Sequence, residues 1–157
     1  RAKGMAFFDL GALLGMFAFT FVAAYFSRRL AFFLTFILCF VITIFVFWSL
    51  DSPTDAYWML PMLGFAQLAV FGGYSIYFPE LFPTRLRGTG VGFCYNTVRY
   101  LMAIFPAMLM YLKATFMEMG FSEPIRTAAV LMSFIYLLGI VALIWAPETK
   151  DQPLPED

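Results

Sequence analysis

Long apolar stretches separated by short polar strips set the pattern of this chain. The stretches cover about 4 to 26, 31 to 50, 56 to 79, 88 to 112 and 127 to 147. A bilayer core about 30 Å thick is crossed by about 20 helical residues rising 1.5 Å each, and every stretch reaches that length. The sequence therefore predicts an all-α transmembrane fold with five crossings. The second, third and fifth stretches hold no charged residue, the first holds only Asp9 and the fourth only Arg99.

The strips between them carry turn chemistry. Ser27-Arg28-Arg29 follows the first stretch, Asp51-Ser52-Pro53-Thr54-Asp55 the second, and the charges around Pro83 the third. The segment from Lys113 to Arg126, with Gly120 and Pro124, is expected to be the longest link. Irregular backbone is not tolerated against lipid, so short links make neighbouring helices antiparallel. The bundle is expected over 1–150, followed by an acidic, proline-containing, disordered tail at 151–157.

Composition strengthens this picture. The chain is 62% hydrophobic, 20% aromatic and 13% charged, with a mean hydropathy of +0.84. Soluble domains carry roughly 25% charged residues, so there is too little polar surface here to coat one. A net charge of zero lacks the positive excess that a nucleic-acid partner requires. Cys39 and Cys94 lie in apolar stretches and read as packing residues, neither disulfide nor metal site. With no histidine, most zinc and Ser-His-Asp chemistry is excluded. Gly88-Thr89-Gly90-Val91-Gly92 follows no strand, so it fails as a nucleotide loop. No nucleophile–base pair, metal cluster or cofactor motif is visible, and the expectation is a non-enzyme without a cofactor. The chain opens on Arg1, which points to a fragment.

Polar residues at membrane depth divide the helices. Asp9 and Thr20, then Gln67, Tyr74, Ser75 and Tyr77, then Tyr95, Asn96, Thr97, Arg99 and Tyr100 lie inside three of the stretches. Polar groups in hydrocarbon are costly unless they face protein or water. Those three helices are expected to line a wet cavity, and 31–50 and 127–147, apolar on every face, to face lipid. Arg99 lies roughly 16 Å into its helix, near the bilayer middle, at a cost of roughly 3 kcal/mol. An anionic substrate or a coupling partner would compensate it; so would a structural ion pair. Asp9 is a proton carrier, a partner for Arg99, or an interfacial acid near Arg1 and Lys3.

Smaller signals complete the reading. Gly11 and Gly15, like Gly88 and Gly92, have the small-xxx-small spacing of close helix packing. Gly72-Gly73, Pro61 and Pro106 are kink or hinge candidates, and Trp48, Trp58 and Trp145 sit where an aromatic belt belongs. One set of strips carries Arg28, Arg29, Arg85, Arg87 and Lys150, the other Arg1, Lys3, Lys113 and Arg126. That slight excess favours the first set as cytoplasmic.

Three strips together resemble the major facilitator superfamily, in its sugar-transporter-like branch. Pro79-Glu80-Leu81-Phe82-Pro83-Thr84-Arg85-Leu86-Arg87-Gly88 resembles the strip between the family's tenth and eleventh helices. Pro147-Glu148-Thr149-Lys150 resembles the strip closing its twelfth, and Ser27-Arg28-Arg29 the end of the loop between its eighth and ninth. The resemblance implies helices eight to twelve of the C-terminal six-helix bundle, with the N-terminal half of the transporter missing. It implies an integral, multi-pass protein of the plasma (inner) membrane with a cytoplasmic C-terminus, and a cytoplasmic gate network of Arg28, Arg29, Glu80, Arg85, Arg87 and Glu148. It also implies a secondary active transporter, a symporter moving a small organic solute with protons by alternating access. Where the family usually has an acid and a glycine, this chain has Ala24 and Ser27; Gly72 to Phe78 lacks the sugar porters' Gly-Pro and tryptophan. With Arg99, these departures favour an organic or aromatic acid over sugar, bound near Arg99, Asn96, Gln67, Tyr74 and Asp9. The rival reading is a non-transporting helical membrane protein or an inactive truncated remnant.

Overall fold

The computed structural model describes residues 2–155; Arg1, Glu156, Asp157 and the side chains of Ala2 and Lys3 lie outside the described residues. The parts of the charge count and of the tail expectation that rest on them lie outside too. Seven helical segments follow in order: α1 (Ala2–Tyr25), α2 (Arg28–Ser49), α3 (Ala56–Leu81), α4 (Arg87–Met102), α5 (Phe105–Glu118), α6 (Pro124–Ser133) and α7 (Ile135–Ala142). No strand occurs among the described residues. Taken with their short interruptions, α4–α5 and α6–α7 are single rods, giving five helices long and apolar enough to cross a membrane.

The interruptions have local causes. Proline has no N–H and crowds the carbonyl four residues back, so Pro106 disrupts the turn around Met102, where α4 ends. α3, by contrast, runs unbroken through Pro61, Gly72, Gly73 and Pro79. A Cβ on Gly73 would overlap the Phe19 ring, so that glycine makes room for α1. The fourth rod extends to Glu118, six residues beyond the expected end, and the long link expected from Lys113 shortens accordingly. Its stop is a Schellman arrangement: Gly120 at φ 82°, Gly120 N–H bonded to Met117 O, and Phe121 N–H to Phe116 O. The fifth rod, expected as one piece to Pro147, breaks at Phe134 and leaves helix at Ala142.

α1 and α3 approach with their backbones nearly touching. A Cβ on Gly11 would strike Pro61 O, one on Gly15 would strike Phe65 O, and one on Gly64 would strike Phe8 O. The paired glycines of α1 thus act as their spacing predicts. α2 sits against α3, α1, α6 and α7, and its ring at Phe32 is the hub of the core. Phe32 meets Phe19 edge-on at 4.9 Å and Tyr77 edge-on at 5.4 Å, and stacks with Tyr74 at 5.5 Å. Lipid is as apolar as these side chains, so such fitted contacts hold membrane helices together.

One expectation about helix roles is corrected. α2, read as lipid-facing, has eight buried residues, including Thr35, Cys39 and Thr43. α4 has no buried residue. An all-apolar helix suits a protein core as well as it suits lipid, so hydropathy alone does not separate the two. The outer surface remains strongly apolar, with Leu14, Phe17, Phe21, Phe93 and Leu101 all exposed. A continuous surface of this kind fits hydrocarbon and not water.

Candidate functional site

Three polar strips distant in sequence meet at one end of the bundle. Ser27, extended at φ −159°, caps α2 by accepting the Leu30 N–H at 2.9 Å, which brings Arg28 into the first turn. A base at a helix N-terminus opposes the helix dipole, and so does an acid such as Glu80 in the last turn of α3. Each offsets the other. Arg28 Nη2 donates to Glu80 Oε1 at 2.8 Å and Nε to Oε2 at 3.2 Å, a bidentate pair. The remaining Arg28 Nη1 donates to Ala23 O, and Thr149 Oγ1 donates to Glu80 Oε2. The two charged side chains are 17% and 20% exposed, which sets the pair apart from freely solvated ones.

The strip after α7 docks its charges on helix ends of opposite sign. Glu148 accepts the Arg28 N–H at 2.9 Å and the Arg29 N–H at 3.2 Å, occupying the positive end of α2. Lys150 Nζ donates at 2.8 Å to Tyr25 O, on the negative end of α1. Tyr77 O–H donates to Pro147 O at 2.7 Å. Burial pushes the Glu148 carboxyl up, but the N–H groups of Lys150, Arg28 and Arg29 outweigh it and leave the group below its usual value. A cavity of about 440 Å³ opens beside the cluster, lined by Arg28, Glu80, Glu148, Thr149 and the segment from Asp151 to Pro155. That segment, expected to be disordered, holds no helix.

Of the six residues expected in this network, the structure brings together the side chains of Arg28, Glu80 and Glu148. Arg29 joins through its backbone N–H, with its side chain exposed. Arg85 is exposed after α3, and Arg87 is half-buried with Nε and Nη2 making no hydrogen bond. Sequence reasoning missed Ser27 as a cap, Tyr77, Thr149 and Lys150 as a docking base. A serine just ahead of a long apolar run was the available signal for the first.

The residues expected near a substrate lie on α1, α3 and α4. Arg99 is exposed in the last turn of α4. Asn96, also exposed, donates from Nδ2 to Gly92 O at 2.8 Å on its own helix. Gln67 is half-buried on α3, and Tyr74 is stacked on Phe78 at 4.9 Å. Asp9 is exposed on α1. Among the described residues neither Asp9 nor Arg99 forms a salt bridge, so the pairing considered for them is absent. The cause is rotational: Gly11 points at α3, and Asp9, two residues earlier, lies about 200° round the helix.

Both cysteines are free, and Cys39 Sγ donates to Ala66 O at 3.1 Å in the core. Among the described residues no group of three or more His, Cys, Asp or Glu side chains is placed to hold a metal ion.

No family model matches the chain, and no solved structure matches it significantly. A curated protein that does match is the cis,cis-muconate transport protein of Acinetobacter baylyi, 29% identical over 103 residues. The match covers 66% of this chain and 24% of that protein, so the chain spans about a quarter of the relative's length. Similarity to a transport protein accords with a chain that is not an enzyme. Together with five long apolar helices, it supports an integral membrane protein of transporter type.

Proposed function

We propose that this chain is part of a secondary active transporter that moves a small organic acid by alternating access, within the major facilitator superfamily. The carrying observation is the cluster of Arg28, Glu80 and Glu148, which ties the ends of α2 and α3 to the strip after α7. In this reading the cluster lies on the cytoplasmic side and its contacts hold the inner helix ends together. Opening towards the cytoplasm weakens them, so the cluster biases the equilibrium between states.

The five helices take the place of helices eight to twelve, and the N-terminal half supplies the facing wall. That arrangement gives the exposed polar face of α4 a role: Arg99 and Asn96 turn towards the missing half, where an anion would meet them. Gln67, Tyr74 and Asp9 belong to the same proposal, with proton movement as the driving force. The relative is named for transport of cis,cis-muconate, a dicarboxylate, which agrees with an arginine at membrane depth.

The test is uptake of cis,cis-muconate, other organic acids and sugars by the full-length protein, with and without a proton gradient. Acid uptake that needs the gradient is expected, and Arg99→Gln should lower it at least tenfold at unchanged membrane abundance. Unchanged uptake of every transported acid by that variant overturns the role of Arg99; uptake of none overturns the acid reading.

A further inference from the structure

α2 lacks the charges that would complement its own ends. Its first turn contains no acid and its last turn no base. Both complements arrive from the fifth rod and the strip that follows it. Glu148 covers the N-terminal end from 120 residues away. At the other end, Arg126 Nη2 donates to Leu50 O at 2.8 Å and to Asp51 Oδ1 at 2.9 Å, and Nη1 approaches Trp48 O at 3.4 Å. Those carbonyls belong to the end of α2, where backbone acceptors have no partner within the helix. Arg126 Nε also lies 3.5 Å from Glu123 Oε2.

Arg126 in the first turn of α6 and Glu148 in the strip after α7 lie at opposite ends of the 22-residue α2. Because the rod runs antiparallel to α2, its entry lies over α2's negative end and its exit over the positive end. A shift by one helical turn, about 5.4 Å, would separate both ends from their partners at once. The Arg126 side chain is 25% exposed, whereas Asp51 and Glu123 are 76% and 60% exposed. The solvated carboxylates therefore contribute little, and the backbone carbonyls carry the contact.

We propose that Arg126 is a register clamp: it caps the C-terminal carbonyls of α2 from across the bundle and fixes α6–α7 against that helix. The clamp does not depend on what the protein transports.

Hydrogen–deuterium exchange on the full-length protein in lipid nanodiscs tests it. Arg126→Gln should speed exchange at Val46 to Asp51 about tenfold, with the first turns of α2 unchanged. Asp51→Asn should stay within about twofold of the parent, and Arg126→Lys, which keeps the cation, should fall between. Unchanged exchange in Arg126→Gln overturns the clamp. Equal loss in Asp51→Asn overturns it in favour of a simple ion pair, and uniform loss along α2 in both Arg126 variants overturns it in favour of a general folding requirement.

Discussion

Removing either member of the Arg28–Glu80 pair leaves the other charge at the wrong end of a helix. Glu80→Gln keeps the shape but weakens two charge-assisted bonds and the contact from Thr149. Hydrogen bonds to charged groups contribute about 1.5–3 kcal/mol, and freely exposed ion pairs about 0–1. With both side chains about one-fifth exposed, the pair lies between these limits, and a coupling energy of about 2 kcal/mol is expected. That corresponds to about thirtyfold in an equilibrium constant. The assay is a double-mutant cycle with Arg28→Gln, Glu80→Gln and both together, read as denaturation of the full-length protein in lipid. Each single variant should be destabilised, and the double should be no worse than the poorer single. Additive losses, with coupling below about 0.5 kcal/mol, would refute the argument that the two charges exist for each other.

Two further outcomes follow from the packing and from the Glu148 site. Gly15→Ala puts a methyl group onto Phe65 O and should destabilise by about 1–3 kcal/mol, measured by thermal melting, while Gly88→Ala, with nothing within 4 Å, should stay within about 0.5 kcal/mol. Glu148 is held below its ordinary value of 4.5, so its contribution is complete above that pH and disappears as acid carries the solution through the lower, folded-state value. Melting temperature against pH should therefore show an acid loss that Glu148→Gln lacks, and a loss centred well above 4.5 would contradict the assignment.

The crossings were legible because continuous apolar length is a property of sequence alone. The meeting of Arg28, Glu80 and Glu148 was legible only through resemblance, since nothing local links residues 52 or 120 positions apart. Inward and outward faces were harder to read. Gly11–Gly15 and Gly88–Gly92 share one spacing, yet the first pair nearly touches α3 and the second faces open space. Spacing states that a close approach is allowed; a neighbour must be present to use it. The inward position of α2 escaped hydropathy for a related reason, because Phe36 and Val46 suit a packed interior and an acyl chain equally. Arg126 went unnoticed as a clamp because its acceptors are backbone carbonyls, which every residue possesses.

The docking of Glu148 on the first amides of α2 also has a temporal side. A ribosome makes α2 about a hundred residues before it makes the carboxylate that covers its amino end. Until then the first amides of α2 lack that acceptor, whereas Glu80 is already in the chain to pair with Arg28. Completion of this cluster therefore requires the last rod to return to the amino end of α2. A nascent chain halted after α5, or one whose final segment is inverted, leaves that amino end bare and stays distinguishable from the finished product.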